Sequence, residues 1–458
     1  YKRYTLRLNL DHRFTDWFKV GTSTLLTRSL NDVGTTAAVE SALLNSPIGQ
    51  AFDLETGEPV FLPTTDGQLS NPLFDIESEN FTDEYKINRV FSSVYAEIDF
   101  LKYLNYRLNF GIDNRDQRRG LFRGTYTDSN LGGASDAAVE NTGKFTYTLE
   151  NILKFSKNFE QKHQVDFTLM QSVQSFSQEY YGFSVNDLPY ETQKFYNMDT
   201  GSTVLGVDSQ LEEWKMASFM GRINYDYNGK YLIQGTLRAD GSSRLSEGKK
   251  WGYFPSGALG WRIINEPWMQ DLPFVSNLKL RASYGVTGNT AINAYQTQGA
   301  LAQTVYDWDG SPGYGYALND IPNPDLRWES TATIDAGVDF GILKGRINGS
   351  VDYYNAKTSD LLMLRQLPIT SGYTSILENV GSTRNKGIEI NLNTIILDNP
   401  KGVTWKMDLN WFANREEILE LYDGKKDDVG NNWFIGQPLS VFYDYEKIGI
   451  WQSNEEEE

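Results

Sequence analysis

Apolar and polar residues alternate along most of this chain. Val94, Ala96, Ile98 and Phe100 are apolar, with Ser93, Glu97 and Asp99 between them. Leu104, Tyr106, Leu108, Phe110 and Ile112 alternate with Asn105, Arg107, Asn109 and Asp113. The pattern returns at Ala332, Ile334, Ala336, Val338 and Phe340, and again at Trp405, Met407, Leu409 and Trp411. A period of two predicts strands with one apolar and one strongly polar face. About fifteen such segments are readable, near 2–10, 16–29, 87–101, 103–118, 144–157, 163–181, 214–227, 231–241, 251–264, 277–289, 329–341, 345–357, 385–397, 403–416 and 438–451. Many are longer than the usual strand of a soluble sheet.

The connections sort in turn into short and long. Short ones fall near 11–15, at Lys102, near 158–162, at Asn228-Gly229, at Leu343-Lys344 and at 398–402; long ones lie near 30–86, 119–143, 182–213, 290–328 and 358–384. Asn-Gly is a strong two-residue hairpin signal, and Asp398-Asn399-Pro400-Lys401-Gly402 reads as a slightly longer turn. The alternation places tight turns at one end of a sheet and long loops at the other. A transmembrane antiparallel β-barrel has this plan, with apolar residues toward lipid and polar ones toward a wet lumen. Tyr225, Tyr227, Tyr231, Tyr353, Trp405 and Trp411 lie near strand ends, where a barrel carries its aromatic girdles.

Composition narrows the choice. The 458 residues suffice for one large barrel or several soluble domains. A net charge of −18 without a basic run argues against nucleic acid as a partner. Cysteine is absent, which removes disulfides and thiolate chemistry, and the two histidines, His12 and His163, read as strand-end residues. Apolar runs such as Leu361–Leu364 are far too short for a membrane-spanning helix. Tyr1-Lys2-Arg3-Tyr4 does not resemble a signal peptide. The polar ending from Gln452 to Glu458, the odd number of strands and the lack of a globular segment before Tyr4 give the expectation of a barrel portion that stops before closure, without its plug.

Six sequence motifs carry a family resemblance: Arg238-Ala-Asp-Gly-Ser-Ser-Arg244, Phe254-Pro-Ser-Gly-Ala-Leu-Gly-Trp261, Leu278-Lys-Leu-Arg-Ala-Ser-Tyr-Gly-Val-Thr-Gly-Asn289, Pro322-Asn-Pro-Asp-Leu-Arg-Trp-Glu329, Asn379-Val-Gly-Ser-Thr-Arg-Asn-Lys-Gly-Ile-Glu389 and Gly449-Ile-Trp-Gln452. In this order they resemble the SusC/RagA-type TonB-dependent outer-membrane receptors of Bacteroidetes. The resemblance implies a barrel of 22 strands in the Gram-negative outer membrane and an N-terminal plug driven by the TonB complex. It also implies a SusD-like surface lipoprotein over the outer mouth, with two such pairs associating as a dimer. Residues 1–458 then read as the barrel domain, in contact with outer-membrane lipid. The function implied is import of large nutrients, an oligosaccharide first and a peptide second. The alternatives are a structural or adhesive outer-membrane barrel, and a secreted carbohydrate-binding β-protein.

Each chemical signal has a bland counterpart. Asp240-Gly-Ser-Ser243 is a good turn sequence, and its expected role is loop structure. Gly285-Val-Thr-Gly288-Asn289 looks like a phosphate loop, yet no Lys-Ser/Thr follows. Asp335, Asp339, Glu389 and Asp408 could be drawn as a carboxylate pair for glycoside hydrolysis, but all fall on the polar strand face, where a wet lumen solvates them. No catalytic residue is expected. Tyr306, Trp308, Tyr314 and Tyr316, in a loop rich in Gly and Asp, are the candidate ligand contacts, suited to stacking on sugar faces or to lining a peptide groove. No metal or cofactor is expected; Asp53, Glu55 and Asp66 are the one acidic group that could hold calcium.

Overall fold

A computed structural model describes residues 1–35, 37–65, 67–399 and 402–449. Contacts divide the chain into two units, Tyr1–Leu153 with Gln171–Ala217, and Lys154–Met170 with the chain from Ser218 on.

The first unit holds β1 (Lys2–Thr15), β2 (Phe18–Asp32), the short helix α1 (Ala37–Leu44), β3 (Phe81–Leu101), β4 (Leu104–Arg123) and the greater part of β5 (Asp136–Phe159), β6 (His163–Asn186) and β7 (Thr203–Tyr227). Each strand lies beside its neighbour in sequence. Register sorts the side chains by chemistry. Val20, Ala96 and Leu108 form one row, and Lys19, Glu97 and Arg107 form the next on the opposite face.

The second unit adds β8 (Tyr231–Ser242), β9 (Trp251–Arg262), β10 (Val275–Asn289), β11 (Leu301–Trp308), β12 (Ser311–Leu318), β13 (Glu329–Ile342), β14 (Ile347–Ser359), β15 (Leu362–Gln366), β16 (Ser375–Asn379), β17 (Ser382–Asp398) and β18 (Thr404–Glu420). The long strands pair in the order β8-β9-β10-β13-β14-β17-β18, while β11 with β12 and β15 with β16 form separate hairpins. Trp261, Leu280, Val338, Val351, Ile390 and Trp411 run across six strands as one apolar row. That face is not packed against protein, since Leu259 and Ile334 remain 60% and 56% exposed. Among the described residues no helix is long and apolar enough to cross a membrane, a fact silent about crossing by strands.

Fourteen of the expected strands coincide with the fourteen long ones. The fifteenth, at 438–451, is corrected: residues 438–449 form no strand, and the remainder lies outside the described residues. A period-two pattern supplies faces but not a ladder, and this stretch pairs with no strand among the described residues; Phe442 and Tyr445 stand fully exposed. Pro400 and Lys401 of the predicted turn, and the motif beyond Gly449, are likewise outside them. At Asn228-Gly229 both residues have positive φ, 53° and 65°, the mirror-image turn that matches strand twist and that glycine enters without strain. The alternation of loop lengths has one exception. The connection 263–274 on the short side exceeds 243–250 on the long side, because it folds into two 3-10 turns around Glu266.

Candidate ligand-binding site

Two surfaces of the second unit carry the candidate residues: the polar strand face and the long-loop end. On the polar face Arg281 of β10 reaches across β13. Its guanidinium lies 3.6 Å from Asp335 and 3.2 Å from Asp339, and it pairs with Asp352 of β14. Lys279 adds a second cation 3.7 Å from Asp339. The reach depends on Gly337, where a Cβ would lie 2.9 Å from the Arg281 Cζ. Asp335 and Asp339 are therefore ion-paired rather than simply solvated. Glu389 stands opposite Asp352, and Asp408 opposite Asn393. The four carboxylates are spread over β13, β17 and β18.

At the long-loop end of the second unit the protein builds a dry core. Leu245, Ile292 and Leu326 are buried together, and Trp328, Leu362 and Leu377 pack against them. The residues around this cluster are those of the sequence motifs. Trp328 donates from Nε1 to the Lys250 carbonyl at 2.9 Å and meets Phe254 edge-on at 5.3 Å. Asn379 accepts from the Arg327 amide at 2.8 Å and donates back to the Arg327 carbonyl at 2.9 Å. Asn323 donates to the Leu377 carbonyl at 2.7 Å. Arg327 closes on Asp360 at 2.6 Å, which raises its pKa further. On the hairpin β15–β16, Arg365 holds Glu378 through two bonds of 2.9 Å and draws its carboxyl below the usual glutamate range. Asp240 is buried and accepts from Arg238 and Ser218. The loop role expected for Asp-Gly-Ser-Ser is corrected: Asp240, Gly241 and Ser242 end β8, with Asp240 and Gly241 paired to Gly252 and Trp251, and the turn starts at residue 243 because the buried Asp240 carboxylate and the ladder hold the backbone extended. The phosphate-loop look-alike is strand, with Gly285 and Gly288 paired to Thr333 and Ser330.

The hairpin β11–β12 rises from the loop that includes Ile292 and Leu326. All four candidate aromatics lie on it: Tyr306 and Trp308 on one strand, Tyr314 and Tyr316 on the other. Tyr306 faces Gly313, Trp308 faces Ser311, Val305 faces Tyr314 and Gln303 faces Tyr316. Alternation then puts Tyr306 and Trp308 on one face of the ribbon and Tyr314 with Tyr316 on the other. Tyr306 lies over Gly315, while Trp308 and Tyr316 expose 79% and 72% of their surface. Exposed rings on both faces of a narrow ribbon can grip a ligand from the side, and they contribute nothing to a core.

Other expected residues have structural partners. Asp53 accepts from the amides of Thr56 and Glu55 at 2.8 and 2.9 Å, and these bonds lower its pKa. Asp66 lies outside the described residues. The same loop of the first unit holds a group that its sequence did not signal: buried Asp75 accepts from the Asp128 amide at 3.1 Å, and burial raises its pKa. His12 packs edge-on to Phe14, and His163 bonds through Nδ1 to the Tyr225 hydroxyl at 2.7 Å. Near the short-turn end Tyr227, Tyr231 and Trp261 stack in series. The Tyr231 hydroxyl, Trp261 Nε1 and Lys230 Nζ all donate to Glu266, at 2.8, 3.1 and 3.2 Å, and lower its pKa.

A family model described as TonB dependent receptor-like, β-barrel, matches residues 27–443. TonB-dependent receptor P3 of Formosa agariphila is 30% identical over 98% of this chain and 47% of its own length. TonB-dependent receptor SusC of Bacteroides thetaiotaomicron is 35% identical over 51% of this chain and 25% of its own. The structure of the RagAB peptide transporter superposes with a TM-score of 0.82 at 23% identity, over 95% of this chain and 49% of the matched one, a likeness of fold. This chain spans about half the length of P3.

Proposed function

The chain belongs to the TonB-dependent receptor β-barrels of the outer membrane, of the SusC/RagA type, and on that premise we propose that it serves the energy-coupled import of a nutrient too large for open pores. The cargo is a glycan first and a peptide second. The ligand is met at the outer rim by Tyr306, Trp308, Tyr314 and Tyr316, then passes along the polar face. A SusD-like lipoprotein covers the mouth, a plug transmits force from the TonB complex, and two such pairs associate. No bond is made or broken and no cofactor is needed.

The observation that carries the reading is the hairpin β11–β12. Its aromatics remain open on a loop anchored by a buried cluster, so rings are presented at low conformational cost. The peptide alternative has its support in the RagAB peptide transporter, which shares the fold. The test is growth of the host on neutral glycans or on peptides as sole carbon source, with the gene intact or deleted and with TonB present or absent. Import predicts growth on one ligand class that requires both genes. Growth on every class after deletion of the receptor gene would leave a structural or adhesive barrel.

A further inference from the structure

The polar face of the first unit carries a pocket that the rim hairpin does not explain. On β3 the polar row is interrupted twice by aromatics, Phe91 and Tyr95, with Ser93 between them. Tyr95 has a structural role: the Arg107 guanidinium lies 4.0 Å from its ring centroid, and its hydroxyl bonds to Asp11. Phe91 sits opposite Leu25 on one side and the Arg89 guanidinium lies 5.8 Å from its ring centroid, a longer contact than the one at Tyr95, and 43% of it stays exposed, bordering a cavity of about 440 Å³. The floor of the cavity is Ser93 paired with Gly111, and Thr146, Thr148 and Gln174 line its walls.

The two cations at this cavity are already paired, and its carboxylate Glu150 is held by a neutral amide. Arg89 holds Asp113 through bonds of 2.8 and 2.6 Å. Arg107 lies 3.6 Å from Glu97 and donates to Asn109 at 2.8 Å, and Asn109 donates to Glu150 at 3.1 Å. The groups without side-chain hydrogen bonds to the described residues are neutral: the hydroxyls of Ser93, Thr146 and Thr148 and the amide of Gln174. An anionic ligand would need a free cation here, and a cationic one a free carboxylate pair. An open aromatic ring beside unpaired hydroxyls and an amide suits a polyhydroxylated, uncharged ring, with its C–H face on Phe91 and its hydroxyls on the pocket wall.

We propose that this pocket binds one sugar residue of a neutral oligosaccharide, as a second station on the inner wall of the barrel. It deepens the import reading and rests on it only in taking the polar face as the ligand's route. The test is calorimetric titration of the full protein in detergent with neutral glucose, xylose and mannose hexasaccharides, and with uncharged hexapeptides as counter-probes. Phe91→Ala removes the ring, Thr148→Val a hydroxyl at constant shape, and Gly111→Leu fills the floor. At Gly111 an added Cβ meets nothing closer than the Ser92 carbonyl, at 3.9 Å, so the backbone accepts the change. Phe91→Ala and Gly111→Leu are expected to weaken hexasaccharide binding about tenfold or more, Thr148→Val severalfold, and Phe91→Trp to retain it. Heat-modifiable migration in gels verifies that each variant is folded.

Saccharide affinity unchanged in all three variants, absence of binding by any hexasaccharide, or loss confined to the hexapeptides would overturn the assignment. TonB-dependent uptake by whole cells is read separately. Uptake that persists without saccharide binding refutes the pocket and leaves the import reading, and saccharide binding without uptake does the reverse.

Discussion

Leu326→Ala separates the loop assembly from the sheet. Leu326 is fully buried, in a cluster that joins residues of the 243–250 and 290–328 loops to the hairpin β15–β16. Removing its isopropyl group forfeits about 2.4 kcal/mol of transfer free energy at about 0.8 per carbon. The cavity left behind brings the cost to about 3–4 kcal/mol. The long strands are held by their own ladders, which this cluster meets only through Trp328 against Phe254 of β9, so most of the loss falls on the loops and opens them locally. If opening is fast relative to cleavage, proteolysis tracks the open population and rises by a few hundredfold, between about 150 and 900. The assay is timed digestion of folded protein, with cleavage sites mapped by mass spectrometry. Cuts within 290–328 should accelerate by that factor while gel migration stays that of a folded barrel. Tyr314→Ala, at an exposed ring, should leave the rate alone. Unchanged cleavage, or loss of the barrel together with the loop, would refute the idea that the rim is organised by its own core.

Other consequences follow from the same geometry. Gly337→Val should push a side chain into Arg281 and Asp352, breaking the ion-paired row and reducing folded yield in outer membranes by severalfold; normal yield and unfolding temperature would contradict it. Trp308→Ala with Tyr316→Ala should weaken ligand binding about tenfold by calorimetry without moving the unfolding temperature, because both rings are exposed. Glu266 has its pKa lowered, so the stability it contributes is complete above the ordinary glutamate value and is lost as pH falls through the lower folded-state value. Unfolding temperature measured from pH 7 to pH 3 should therefore fall more for the native protein than for Glu266→Gln, and parallel curves would sink the assignment.

The sheet was legible in the sequence because its physics is local. A strand between lipid and water must alternate, so β13 and β14 can be read from Ala332 to Phe340 and from their tight turn. The hairpins β11–β12 and β15–β16 escaped that reading. Their strands are short, and pairs such as Gln303 with Tyr316 carry no periodic signal. The aromatic residues of β11–β12 were nonetheless visible as exposed types in a Gly-rich loop, though not their division between two faces. The loop core was hidden because Leu245, Ile292 and Leu326 are single apolar residues in polar stretches, gathered only by the fold. Their neighbours Arg327, Trp328 and Asn379 were the available signal, and the structure gives these motif residues the work of clasping loops together. At 438–449 the pattern promised a strand that finds no partner among the described residues, since alternation describes faces and says nothing about neighbours.

The account's central claim is that strands carry this chain across the outer membrane and hold the hairpin outside to meet ligand. These 458 residues hold no cysteine, which makes a direct measurement possible: Trp308→Cys and Asn228→Cys variants are treated in intact cells with a membrane-impermeant maleimide, and labelling is read above that of the unsubstituted protein. The account predicts rapid labelling at position 308, slowed when the imported ligand is present, and labelling at position 228 only after the outer membrane is permeabilised. Equal labelling at both positions in intact cells, or labelling at 228 alone, would contradict it.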